Sequence, residues 1–154
     1  MIKQNGKAKG IENNSKKEEI RIGVYICHCG GNISDVVDVE KVTQAVAGLP
    51  DVVVAKNYVF MCSDPGQNLI AEDIRENKLN RVVVAACSPS LHELTFRQTL
   101  MRSGLNPFLF EPANIREQVS WAHHSVPGAA TEKAISLVAA GVAKARFSYP
   151  LEPI

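Results

Sequence analysis

No apolar run in these 154 residues approaches the about 20 consecutive residues that a membrane-spanning helix needs. No apolar segment follows the amino terminus as it would in a secretory leader, so the expected compartment is the cytoplasm. Neither sign of charge dominates: 17 Lys and Arg face 16 Asp and Glu, for a formal net charge of +1. That balance gives no charge-based case for a nucleic-acid or anionic-membrane partner. The glycines never fall into G-x-G-x-x-G, so no nucleotide-binding turn is written here. Cysteine is limited to four residues, and none makes the C-x-x-C of a thioredoxin-like dithiol. Six residues after Cys27, Cys62 and Cys87 stand Ile33, Asn68 and Glu93. A cysteine-phosphatase loop needs an Arg there to hold its oxyanion, so that chemistry is excluded.

What remains is an ordinary globular composition, 45% apolar and 21% charged, on a length that suits one domain with a real core. In a reducing compartment four thiols are metal ligands or catalysts more often than disulfides. Four is also the number that fills a tetrathiolate site.

Residues 1–20 are polar, without apolar periodicity, and read as a disordered tail. The ordered domain is expected over 21–148, with 149–154 an extended linker. Arg21–Cys27 reads as a buried strand. Asp38 caps a helix with Val39, Val42, Val46 and Leu49 at helical spacing. Val52–Tyr58 is a second strand. Asp64 as cap, Pro65 at the first helical position and Gln67 start a helix with Leu69, Ile70 and Ile74 inward. Arg81–Ala86 is a third strand. A helix from Ser88 or Ser90 carries Leu94 and Leu100 and stops at Gly104. Pro107–Glu111 is a short fourth strand, and an Asn114–Glu117 capping box opens a helix through Trp121. Pro127-Gly128 breaks the chain before a final Ala-rich helix over about 130–147. Strands alternating with helices indicate βαβ units: an α/β three-layer sandwich on a mostly parallel sheet of four strands, flavodoxin- or Rossmann-like.

In a parallel sheet all strand-to-helix loops share the carboxyl edge. Cys27 and Cys29 follow strand 1, Cys62 follows strand 2 and Cys87 follows strand 3. Core filler would scatter through strand and helix interiors. One site with four thiolate ligands is therefore expected, and zinc and an iron–sulfur cluster are its two candidate occupants. Zinc sites usually use paired C-x₂₋₄-C knuckles, which this chain lacks. On an extended backbone the C-x-C pair lies roughly 6.6 Å apart, wide for two thiolates on one zinc, about 3.8 Å apart. Helix starts after Cys62 and Cys87, and amides freed by Gly30-Gly31, favour thiolate and a negatively charged cluster. His28 lies between two thiols as a ligand or hydrogen-bond donor, four thiols already sufficing. His92 reads as a surface residue, His123-His124 as partners of helix-terminal carbonyls, and Trp121 as core or interface packing.

Taken together, CHCGGNISDVVDVE, CSDPGQNLI, RVVVAACSPSLHE and GLNPFLFEPANIREQ resemble the N-terminal domain of the A subunit of heterodisulfide reductase and its bacterial relatives. That family is a flavin and iron–sulfur electron-transfer protein. It serves complexes that reduce the CoM–CoB heterodisulfide, often by flavin-based electron bifurcation. The resemblance implies one [4Fe-4S] cluster on Cys27, Cys29, Cys62 and Cys87, a non-catalytic electron relay, and partners that are other redox subunits. It places FAD in a C-terminal module outside this chain or in a partner. The chain departs from the family at Val119, where members commonly carry a further Cys before Ser-Trp. The alternative function is a structural or regulatory zinc-binding interaction domain.

Overall fold

The computed structural model describes residues 18 to 152; most of the expected tail, residues 1–17, and the last two linker residues lie outside it. Four strands, β1 (Ile22–Cys27), β2 (Val52–Tyr58), β3 (Arg81–Ala86) and β4 (Phe110–Asn114), form one sheet in the order β2-β1-β3-β4. Every pairing is parallel. The helices are α1 (Val39–Ala47), α2 (Asp64–Glu76), α3 (Pro89–Arg102) and α4 (Pro127–Ala145). α1 packs with α4 on one face, and α2 packs with α3 on the other. The expected three-layer α/β sandwich is present.

The central strands β1 and β3 are buried along their whole length, as continuous apolar runs between two helical layers require. Their side chains meet Val42 and Val46 from α1, Ile70 and Ile74 from α2, Leu100 from α3 and Val138 and Val142 from α4 in one core. Among the described residues one carboxylate, that of Asp73, is buried beside it. Asp73 accepts from the Tyr25 hydroxyl at 3.2 Å and from Lys56 Nζ at 2.7 Å, so its charge is paired.

Several expected boundaries move. Ser63, not Asp64, caps α2: its backbone is extended, its Oγ accepts from the Gly66 amide at 3.4 Å, and Pro65 falls at the second helical position. Ser88 rather than Ser90 caps α3. Leu94 points outward at 69% exposure, while Leu100 is buried. The fourth strand starts three residues later than expected, because Asn106 Oδ1 accepts from the Phe108 amide and winds residues 107–109 into a 3₁₀ turn. β4 carries Pro112, tolerated on an edge strand. Only a π-type turn, Arg116–Ser120, stands where a helix through Trp121 was expected. Pro127-Gly128 opens α4 instead of separating it from the chain, since proline suits the first helical position. Asp38 caps α1, and Gly104 takes the left-handed conformation at φ 79°, both as expected.

Candidate metal centre

β1 ends on Cys27, which pairs in register with Tyr58 at the end of β2. From there the chain enters a tight loop. Cys29, Gly30 and Gly31 have φ of 53°, 64° and 123°. A left-handed non-glycine residue is uncommon and marks a constrained position. His28 is helical and Cys29 left-handed, so the C-x-C pair is not extended. The extended spacing expected of the pair is therefore absent, and its width does not count against one zinc. The amides of Gly30 and Gly31 do not face the thiols either; they bond the carbonyls of Val59 (3.2 Å) and His28 (3.3 Å). The amides that reach sulfur are those of Cys29 and Met61, at 3.3 and 3.4 Å from Cys27 Sγ.

The strand-end loops are laced into one rim. Loop 1 meets loop 2 through His28 N to Tyr58 O at 2.9 Å and the Met61 amide on Cys27. Loop 3 meets loop 4 through Ile115 N to Ala86 O and through the Ser88 amide to Glu117 Oε2, 2.8 Å. Loop 4 returns to loop 1: Ser120 Oγ donates to Asn32 O at 2.7 Å, and Arg116 Nη1 lies 3.1 Å from Cys29 Sγ. Cys62 and Cys87 directly precede the caps of α2 and α3, at the positive ends of both helices.

Cys27 is buried, and Cys29, Cys62 and Cys87 are partly exposed; all four are free thiols. Burial pushes the Cys27 thiol up, the two amides pull it back, and Cys29 and Cys62 push it up further. Burial also pushes Cys87 up, to about 11, against the pull of Arg116 and with Cys29, Glu117 and Cys27 adding to the rise. Cys27 therefore feels Cys29 and Cys62, and Cys87 feels Cys29 and Cys27. A cation that took Cys27 and Cys87 as ligands would displace their protons. Among the described residues no group of three or more His, Cys, Asp or Glu side chains is arranged to hold a single metal ion.

His28 turns away from sulfur. Its Nε2 lies 2.8 Å from Asn57 Oδ1, while Asn57 Nδ2 donates to Glu40 and Thr43. With the amide oxygen accepting, Nε2 carries the proton, and the ring is a strut between loop 1 and β2. His92 is partly exposed, and His123 approaches Lys133 Nζ at 3.5 Å, not a helix-terminal carbonyl. Trp121 is half exposed, with the Arg116 guanidinium 4.6 Å from its ring centre. Counting cysteines does not find Arg116. The signal for it is positional: it stands two residues after β4, in the fourth loop of the same edge.

A parallel sheet covered on both faces, with four free cysteines in the loops at its carboxyl edge, defines an α/β domain of the three-layer kind. No family model matches the chain. Curated relatives do. The chain is 62% identical over 135 residues to the A subunit of the H(2):CoB-CoM heterodisulfide,ferredoxin reductase of Methanothermobacter thermautotrophicus, covering 88% of this chain and 20% of that protein. It is 58% identical over 138 residues to the second iron-sulfur A subunit of the CoB--CoM heterodisulfide reductase of Methanopyrus kandleri, covering 90% and 21%. The A subunit of the ferredoxin/F(420)H(2)-dependent CoB-CoM heterodisulfide reductase of Methanosarcina acetivorans is 58% identical over 128 residues, 83% and 16%. This chain is therefore a homologue of the heterodisulfide reductase A subunit, and it spans about a fifth of the length of those relatives.

Proposed function

We propose that this chain is an electron-transfer domain carrying one [4Fe-4S] cluster on Cys27, Cys29, Cys62 and Cys87. The observation that carries the reading is the placement of all four cysteines in three consecutive strand-end loops of one sheet edge. The donor set fits the group: four thiols, none in a disulfide, with amides, a guanidinium and two helix starts offsetting negative charge. The name of the Methanopyrus relative, an iron-sulfur subunit, supports the same occupant.

When bound, such a cluster supplies reversible one-electron storage. The protein's part is to hold and bias it. Cys27 supplies the buried ligand, fixed by two amides, and Cys29, Cys62 and Cys87 supply the solvent-side ligands. At loop 2 Met61 is fully buried, while Phe60, partly open to solvent, packs on Gly30. All four cysteines serve as ligands, so no substrate chemistry is assigned to this chain. Its partners are other redox subunits of a heterodisulfide reductase-like complex and a flavin-binding module carrying FAD, in the cytoplasm. No helix among the described residues is long and apolar enough to cross a membrane. In this reading residues 21–148 are the cluster-bearing unit, 1–20 a polar tail and 149–154 the approach to the flavin module.

The test is iron, zinc and inorganic sulfide analysis of anaerobically prepared wild type and the four single Cys→Ser proteins. About four iron and four sulfides per chain are expected in the wild type, and each substitution lowers iron content and alters the spectrum of the same centre. Stoichiometric zinc without sulfide replaces the reading with the zinc-domain alternative. Two or more substitutions that leave the centre intact show the ligand set to be wrong.

A further inference from the structure

Loop 4 contributes no thiol, yet it closes the rim with a charged arm. Arg116 Nη1 lies 3.1 Å from Cys29 Sγ. The same guanidinium gives Nε and Nη2 to Glu117 Oε1 at 3.2 and 2.8 Å, and its plane stands 4.6 Å from the Trp121 ring centre. The other carboxylate oxygen of Glu117 accepts from the Ser88 amide at 2.8 Å, next to Cys87. The Glu117 amide is itself held by Asn114 Oδ1 at 3.1 Å, at the end of β4. These fixed contacts aim one cation at one sulfur. An arginine with no task at the rim would extend into solvent and keep its rotamer freedom.

We propose that Arg116 is a positioning residue that raises the reduction potential of the centre built on Cys29, with Glu117 as the counter-anion that limits the rise. The inference rests on the cluster reading above. Adding one electron to a thiolate-bound centre adds one negative charge, with a chemical reductant as donor. A guanidinium on a ligand sulfur stabilises that charge, and the carboxylate behind it opposes it. Trp121 holds the guanidinium plane from the outer side, so the donor cannot swing away without losing the stacked contact.

The experiment is a dithionite redox titration, followed by electron paramagnetic resonance, of the anaerobically prepared 154-residue chain as wild type, R116Q and E117Q. Iron and sulfide are measured on each sample. R116Q is expected to weaken reduction about tenfold, which for a one-electron couple moves the midpoint about 59 mV more negative. E117Q is expected to move it the opposite way. Opposite signs from adjacent residues follow from charge; a general loosening of the loop shifts both variants alike. Loaded variants with wild-type midpoints, or with shifts of the same sign, overturn the proposal while leaving the cluster reading intact. A wild type without iron and sulfide overturns the cluster reading itself. If R116Q does not load, E117Q carries the test alone, and an unmoved or more negative midpoint overturns the proposal.

Discussion

Gly66 shows how much of the centre depends on a missing side chain. A Cβ there would sit 2.5 Å from Phe60 O and 2.6 Å from Met61 Cα, both backbone atoms that cannot step aside. The first turn of α2 is pressed against the loop carrying Cys62 for that reason. Gly66→Ala is expected to cost about 1–3 kcal/mol and to lower iron loading, measured by denaturant unfolding and metal analysis of the same sample. Tyr25 sets a second residue-scale expectation. Burial, and then the Asp73 carboxylate beside it, push its hydroxyl well above the ordinary range. A raised folded-state pKa means its contribution is complete below the ordinary value of about 10 and is lost as pH rises past it. Stability should therefore begin to fall near about pH 10 and keep falling above it. Tyr25→Phe should flatten that fall. The unfolding midpoint at each pH reads this directly.

Among the elements, the helix starts couple fold to site. Each of α2 and α3 is capped by the serine that directly follows its cysteine. Ser63 accepts from Gly66 N to cap α2 and also donates to Phe60 O at 2.6 Å, which ties the cap to loop 2. Ser63→Ala is expected to cost about 1 kcal/mol in unfolding experiments while leaving the β-sheet circular dichroism unchanged. The cap residues were legible as a group, since Ser, Asp and Pro before an apolar run announce a helix. Their order was not. Ser63 and Asp64 are both competent caps, and the extended backbone at Ser63 decides between them. The π-type turn at 116–120 escaped for a related reason. Asn114 does bond the Glu117 amide, as a capping box would, but Glu117 turns its carboxylate to Ser88 and Arg116 instead of back to its own turn. Ser88 from loop 3 and the neighbouring Arg116 hold the carboxylate in place of its own turn's amide.

On the scale of the molecule, the core lies along β1 and β3 between two pairs of helices, and the thiols lie at its rim. Folding and cofactor binding are therefore separable. Small metal domains without a core unfold when the metal is removed. Chelated protein of this sequence is expected instead to keep its far-ultraviolet circular dichroism and a cooperative thermal transition at a lower midpoint. Loss of both on chelation would show that the centre, not the core, holds the chain together.

The alternation of buried strands with capped helices was determined by the sequence, because local periodicity and turn chemistry carry it. So was the assignment of all four cysteines to strand ends, and the parallel order then placed those ends on one edge. Tertiary structure decided what surrounds the sulfurs. The amide of Met61 on Cys27, the capture of His28 by Asn57 and the reach of Arg116 to Cys29 join segments 29 to 87 residues apart. The left-handed backbone at Cys29, which brings its own amide onto Cys27, rests on backbone angles no single residue announces. The long-range contacts form only when the four loops are already neighbours, so no window of sequence contains them.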